Sequence, residues 1–174
     1  RPDEAATVLR EGLELAEKIG HAEEVGGCLV NLALVELNRG DYDAAIACDR
    51  QAIEELGRIG HPALATAYAN LAEALLARGD TDQVQEYCEQ AITLASQRHD
   101  MLTVADAGLT AARAELQLGH GERAAATAEI AAAHFLEVGS KDWAAKAMEI
   151  AVEGRAAATG ARTHGPRPPS GAPS

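Results

Sequence analysis

Apolar and polar residues alternate along the chain with the spacing of amphipathic helices. In the first such stretch Ala6, Leu9, Leu13 and Ala16 recur every three or four residues, and Gly20 ends the pattern. The same spacing returns after each short polar turn, and runs of β-branched residues are almost absent. The pattern predicts an all-α chain with helices over residues 3–19, 23–38, 42–58, 62–78, 82–98, 102–118, 122–138 and 141–157.

These helices belong to a sequence repeat. Asn-Leu-Ala at positions 31–33 and Gly-Asp at 40–41 return at positions 70–72 and 79–80. A weaker third copy begins at Thr110, at nearly the same distance from the second. A period of about 40 residues is typical of solenoids, in which each unit buries its apolar face on the next. The short glycine turn inside each unit predicts that its two helices pack antiparallel.

The repeat register also divides the chain into segments. Aligning Gly20 with Gly60 makes the first helix the second half of a unit whose first half is missing. Such a helix would expose an apolar stripe, so we expect the protein to continue upstream of Arg1 or another chain to cover this face. After Thr159 the composition changes to Gly, Pro, Arg and Ser, which predicts a disordered tail. The predicted segments are a solenoid over residues 1–158, made of a half repeat (3–20), three repeats (22–60, 61–99 and 100–139) and a capping helix (141–158), and a tail over 159–174.

Composition and charge exclude several classes of function. The chain has 27 acidic and 15 basic residues and a formal net charge of -12, which disfavours binding to phosphate backbones. It has no uncharged apolar run of about 18 residues and no signal-peptide pattern, so we expect a cytoplasmic protein that does not associate with membranes. Cys28, Cys48 and Cys88 lack CxxC spacing and fall inside predicted helices, which favours buried reduced thiols over disulfides or a zinc site.

The sequence contains no motif for catalysis or cofactor binding. It lacks His-Glu-x-x-His, Glu-x-x-His, GxGxxG and GxxxxGK[ST], and no residue stands out as a nucleophile or general base. His21 and His61 recur one period apart, each directly after a helix-ending glycine, where a histidine interacts favourably with the dipole of the preceding helix. We therefore expect no enzymatic activity, no cofactor and no metal.

The repeated positions carry a family resemblance. The first two units have a large apolar residue followed by a small one in the first helix. All three have a glycine at the turn and small residues early and late in the second helix, except that the early position is enlarged to Val84 in the second unit. These positions hold Leu32-Ala33 and Leu71-Ala72; Gly40, Gly79 and Gly119; Ala45, Val84 and Ala124; and Ala52, Ala91 and Ala131. In this pattern the sequence resembles the tetratricopeptide repeat family, which implies a right-handed solenoid of about eight antiparallel helices. Its repeats exceed the family's usual length of about 34 residues, and in this they resemble the C-terminal arrays of actinobacterial-type transcriptional regulators and of related NTPases.

The resemblance also implies a binding site. Proteins of this family bind an extended peptide or a helix in a concave groove lined by the first helix of each pair. In similar long-repeat arrays an asparagine at the position of Asn31 and Asn70 hydrogen-bonds the backbone of the bound peptide, although a local structural role explains these asparagines equally well. The implied groove residues are Val30, Asn31, Leu34, Leu37 and Asn38 in the first full repeat; Ala69, Asn70, Glu73, Leu76 and Ala77 in the second; and Asp106, Leu109, Thr110, Arg113 and Gln117 in the third.

Two classes of function are consistent with these features. The first is the regulatory or sensor arm of a larger transcriptional regulator or NTPase, which would pack on upstream domains of the same chain. The second is a free-standing adaptor or scaffold that self-associates, and a small helical enzyme is a distant third. In each of the first two the partner is a protein or peptide, and the leucines near the groove predict an apolar or amphipathic one.

Overall fold

A computed structural model describes residues 2–163 of the chain, and the described part is built from eight α-helices joined by short turns. The prediction of an all-α helix-pair solenoid is confirmed. Each helix packs antiparallel on the next, as the short glycine turns predict. The helices are α1 (Pro2–Ile19), α2 (Ala22–Arg39), α3 (Tyr42–Ile59), α4 (Leu64–Arg78), α5 (Val84–Gln97), α6 (Met101–Gln117), α7 (Gly121–Glu137) and α8 (Lys141–Thr163).

Two helix starts and one helix end differ from the prediction by more than one residue. Helices α4 and α5 begin at Leu64 and Val84, slightly later than predicted, because the preceding residues form a tight turn. In the first of these turns the backbone N–H of Leu64 donates to the carbonyl of His61. Helix α8 continues to Thr163 instead of ending near residue 157, since the alanine-rich segment after Gly154 favours helix and contains no proline. The remainder of the predicted tail, residues 164–174, lies outside the described residues.

The helices form two layers. In the inner layer α2 contacts α4, α4 contacts α6 and α6 contacts α8. In the outer layer α1, α3, α5 and α7 contact only their neighbours in sequence. A structure whose inner helices touch while its outer helices spread apart is curved, so the first helix of each pair faces the concave side.

Small residues bring the two layers together. The alanines that the repeat places in both helices of each pair, such as Ala33, Ala52, Ala72 and Ala91, are fully buried. Leu32 and Leu71 beside them are also buried, and they fill the space between neighbouring repeats. The small and large positions of the sequence repeat therefore coincide with the core.

Two helices approach each other very closely at the C-terminal end of the solenoid. Here Gly121 at the start of α7 faces Gly154 in α8, and a Cβ atom added to Gly154 would lie 2.5 Å from the carbonyl oxygen of Gly121. Only glycine on both sides permits this contact between backbones. The sequence pattern indicates no more than a turn at Gly121, and its packing role is evident only in the structure.

Ion pairs join successive repeats at the end where the glycine turns lie. Arg39 pairs with Asp3 on the preceding helix, and Arg78 pairs in the same way with Asp43. The two arginines occupy the same position in successive repeats, so this contact follows the repeat. Since both pairs are largely exposed, each contributes little to stability but repeats the same geometry.

The outer face of α1 carries exposed apolar side chains. Val8, Leu15 and Ile19 are each at least 60% exposed, whereas Ala6 and Ala16 on the opposite face are buried against the rest of the solenoid. The three exposed side chains form an apolar strip on the outer face of α1.

Candidate functional site

The inner helices line a groove with a volume of 610 Å³. Its walls come from α2, α4, α6 and α8, together with Tyr42 at the start of α3. Six residues of the predicted groove, from three repeats, line it together: Leu34, Leu37, Asn38, Asn70, Glu73 and Thr110. Ala69, Ala77 and Asp106, which the family resemblance also implied, lie in the same wall.

The groove continues along α4 and α6 into a second cavity of 420 Å³. Glu73 and Ala77 line both cavities, so the two form one continuous surface. Leu76, Arg113 and Gln117 lie in this second part, beside Leu116 and Ile150. Twelve of the fifteen residues that the resemblance implied for the groove therefore line it or its extension.

Val30, Asn31 and Leu109 do not line either cavity. Val30 and Leu109 are 8% and 3% exposed and belong to two clusters of the core, so the structure places them between helices instead of in the groove. For Leu109 this follows from helical geometry, because it is next to Thr110 and adjacent residues on an α-helix point about 100° apart.

Asn31 and Asn70 occupy the same repeat position but have different surroundings. The amide of Asn31 donates a hydrogen bond of 2.9 Å to the carbonyl of Gly27 in its own helix. Asn70 lines the groove, and its side chain makes no hydrogen bond within the described part of the chain. Of the two asparagines, only Asn70 therefore has an amide that is available to a ligand in the groove.

The floor of the groove is acidic. Glu73 on α4 and Asp106 on α6 both lie there, and among the described residues that line this cavity no lysine, arginine or histidine is present. Desolvation in the concave surface, with smaller contributions from the charges of Glu73 and Asp100, raises the pKa of Asp106 to about 6. Two cationic groups stand at the margins: Arg113, 4.0 Å from Glu73, and Lys146, over the ring of Trp143.

Thr110 adds a polar group to this floor. Its side chain is only 5% exposed, lines the groove and makes no hydrogen bond within the described residues. The hydroxyl of Thr110 is thus a second group, after the amide of Asn70, whose hydrogen-bonding capacity is left for a ligand.

Four of the lining residues were not predicted to lie in the groove: Tyr42, Thr66, Thr103 and Trp143. Trp143 is 42% exposed and lines the groove, and its ring stacks on Phe135 with 6.1 Å between ring centroids. The register contained a signal for this placement, because Trp143 lies one repeat after Thr103. Helix α8 is therefore the first helix of a further unit as well as a cap.

The described residues contain no group of three or more His, Cys, Asp or Glu side chains arranged to hold a metal ion. In the same part of the chain, no helix has the length and apolar character needed to cross a membrane. Cys28, Cys48 and Cys88 are free thiols, of which only Cys88 is fully buried. The groove is accordingly a surface of apolar, amide, hydroxyl and carboxylate groups.

Comparison with known proteins agrees with the architecture. Residues 24–97 match the family model for the tetratricopeptide repeat. The structure resembles that of RapI in its apo form, with a TM-score of 0.60 and 13% sequence identity over 91% of this chain, which spans 64% of the RapI chain. It also resembles BtubC (BKLC) from P. vanneervenii, with a TM-score of 0.56 and 15% identity over 99% of this chain and 97% of that one. Comparison with curated protein sequences gives no match.

Proposed function

We propose that the chain is a non-catalytic interaction module that binds a peptide or a helix of its partner in the inner groove. The match of residues 24–97 to the family model for the tetratricopeptide repeat supports this proposal. The observation that carries this proposal is the combination of groups on one concave surface. Leu34, Leu37 and Trp143 offer apolar contacts, and the amide of Asn70 between them has no partner within the described chain. Such an amide can bind a peptide backbone, because it offers a donor for a carbonyl oxygen and an acceptor for an N–H group.

The experiment uses Trp143 as a probe, since it is the single tryptophan of the chain and lies in the groove. Peptides selected from a random dodecapeptide library against the full chain would be titrated while the fluorescence of Trp143 is recorded. We expect binding to change this fluorescence and to weaken by about tenfold in Asn70→Ala, because the variant loses hydrogen bonds to the peptide backbone.

Asn31→Ala is the matched control. It removes the same side chain at the equivalent position one repeat earlier, where the amide bonds to Gly27 of its own helix. We expect peptide affinity to be unchanged in this variant. If the selected peptides leave the fluorescence of Trp143 unchanged, or if both alanine variants weaken binding equally, the groove is not the binding site.

For the wider setting we propose a regulatory arm of a larger transcriptional regulator or NTPase in the cytoplasm, with a self-associating adaptor as the alternative. The exposed apolar face of α1, with Val8 and Leu15, supports both, since each requires a second surface besides the groove. Sedimentation across a range of concentrations separates them. A dimer that Val8→Lys and Leu15→Lys together abolish would favour the adaptor, and a monomer at all concentrations would favour the arm.

A further inference from the structure

The first cavity of the groove contains acceptors for a cation, and no described residue that lines it is cationic. Glu73 and Asp106 place two carboxylates on its floor, from neighbouring inner helices, and Asp106 forms no ion pair within the described chain. Glu73 is 45% exposed, and Arg113 lies 4.0 Å away from it at the edge of the second cavity. Two like charges facing each other across a concave surface repel, and a cation placed between them removes that repulsion.

Neutral groups beside the carboxylates extend this set of acceptors. Asn70 lies one helical turn before Glu73 on α4, and Thr110 lies one turn after Asp106 on α6. Neither side chain has a hydrogen-bond partner in the described structure, and Thr110 is 5% exposed. The amide oxygen and the hydroxyl therefore add two acceptors to the carboxylates. An arginine guanidinium has five N–H donors and no acceptor, and an ammonium has three, so both fit a site composed of acceptors.

The rest of the groove is suited to apolar side chains. Leu34 and Leu37 on α2 form one wall, and the face of Trp143 on α8 forms the other end. Leu34 is 45% exposed although it is a leucine, which makes this wall available for contact. Tryptophan is also the aromatic side chain that attracts cations most strongly, and Lys146 already lies 3.9 Å from the centre of its ring.

On these grounds we propose that the groove selects a protein segment in which a lysine or arginine is flanked by apolar side chains, with the cation seated between Glu73 and Asp106. This inference rests on the proposed function and adds the chemistry of the partner to it. Charge complementarity is the deciding observation, because the first cavity is lined by two carboxylates and by no cationic side chain of the described residues, and Arg113 at its edge pairs with Glu73 alone. A segment with an acidic or purely apolar face would leave the carboxylate of Asp106 desolvated and unpaired, which is unfavourable.

The test compares the sequences of peptides that are selected from the random dodecapeptide library. We expect those that change the fluorescence of Trp143 to share a lysine or arginine next to apolar residues. Replacing that cationic residue by glutamine in the peptide should weaken binding by about tenfold, as should Glu73→Gln combined with Asp106→Asn in the protein. The affinity of the wild-type protein should also fall as salt is added, because the groove is open to solvent.

The control is a variant that changes the net charge of the protein by the same amount without replacing any residue of the groove. Glu54→Gln with Glu153→Gln removes two carboxylates from exposed positions on α3 and α8, outside both cavities. We expect this variant to bind the selected peptides as the wild type does. Equal weakening in both double variants would show a general effect of net charge and would overturn the proposed cation site.

The outcomes also separate this inference from the proposed function. If selected peptides change the fluorescence of Trp143 but are acidic or uncharged, the groove binds peptides and the cation site is wrong. If the peptides are cationic yet bind equally to Glu73→Gln with Asp106→Asn, the cation lies elsewhere and the inference is again overturned. If Trp143 does not respond to any selected peptide, the proposed function itself fails.

Discussion

The first full repeat (α2 and α3) and the second (α4 and α5) have nearly the same sequence pattern but different buried groups. Asp49 in α3 and Cys88 in α5 occupy the same register one repeat apart, and both are fully buried. Glu36 in α2 and Leu75 in α4 form a second such pair, and they are 3% and 2% exposed. One repeat therefore buries two acidic groups where the next buries a thiol and a leucine.

The two buried acids of the first repeat are accommodated differently. Glu36 has charged partners, since Arg10 on α1 and Arg39 on its own helix both pair with it. Asp49 lies on α3 between the apolar clusters that contain Ala45 and Ala52, and neither carboxylate oxygen has a hydrogen-bond partner in the described structure. Burial alone raises the pKa of Asp49 to about 8, so its carboxyl is protonated at neutral pH. The repeat thus fixes the position of a side chain, whereas neighbouring helices decide whether its polarity is satisfied.

The largest change in the free energy of unfolding is expected when an unpartnered carboxyl group is introduced into the second repeat. Cys88→Asp places a carboxyl of similar volume at a position with no exposed surface, and we expect the free energy of unfolding at neutral pH to fall by about 4 kcal/mol. Urea unfolding monitored by circular dichroism measures this change.

Cys88→Ser serves as the control for that prediction, since it introduces a small polar group without a charge and should cost about 1 to 2 kcal/mol. The penalty of Cys88→Asp should shrink near pH 4, where the unfolded state also binds the proton. An equal loss of stability in both variants at neutral pH would mean that water reaches this position, although it has no exposed surface in the structure.

The next effect is a dependence of stability on pH that arises from Asp49. An aspartate titrates near pH 3.8 in the unfolded chain, but Asp49 holds its proton in the folded chain up to about pH 8. Between these values the folded state binds more protons, so the free energy of unfolding should fall as pH rises, by about 3 kcal/mol from pH 5 to pH 7. In Asp49→Cys, which copies the second repeat, this slope should be lost and stability at pH 8 should increase. Urea titrations at a series of pH values measure both.

The carboxyl groups of Asp106 and Glu115 also affect how stability depends on pH, and their contributions must be distinguished from that of Asp49. The pKa of Asp106 is raised to about 6, so Asp106 contributes in the same direction over a narrower window, and Asp106→Asn measures its share. Burial would by itself raise the pKa of Glu115, but hydrogen bonds from Arg123 and His120 outweigh it and lower that pKa. Its stabilising contribution is therefore lost only as the solution becomes more acidic than about pH 4.5. A flat profile for wild type between pH 5 and pH 8 would contradict the burial of an unpaired Asp49.

The same comparison explains how much of the fold could be predicted from the sequence. Helix number, pairing and the buried alanines follow from the period, because helix geometry repeats whenever small and large residues repeat. Asp49 and Glu36 could not be recognised as buried from local pattern alone, since acidic residues are almost always exposed. Alignment of the repeats would have identified both as buried, because they align with Cys88 and Leu75 one repeat later.

The candidate site could be predicted only in part. The resemblance grouped residues from three inner helices, and Leu34, Asn70 and Thr110 among them line one cavity in the structure. It could not distinguish Asn70 from Asn31, because that difference depends on the path of the groove past α2 and on a bond within one helix. Trp143 was missed because it lies in a unit with too little sequence similarity to the others to be aligned by motif. Long-range curvature decides which helices face each other, and no local pattern encodes it.

The smallest predicted effect concerns the turns that end the first and second repeats. Gly60 and His99 occupy equivalent positions in the two repeats, and both adopt a left-handed backbone conformation, with φ of 62° and 57°. Glycine adopts this conformation freely, whereas a residue with a Cβ atom is strained there. We expect His99→Gly to raise the free energy of unfolding by about 1 kcal/mol, because relief of strain exceeds the added flexibility of the unfolded chain. Gly60→Ala, which creates the strain in the first repeat, should lower it by a similar amount in the same urea titration. If His99→Gly were destabilising instead, the imidazole would have to contribute more to this turn than its strained backbone costs.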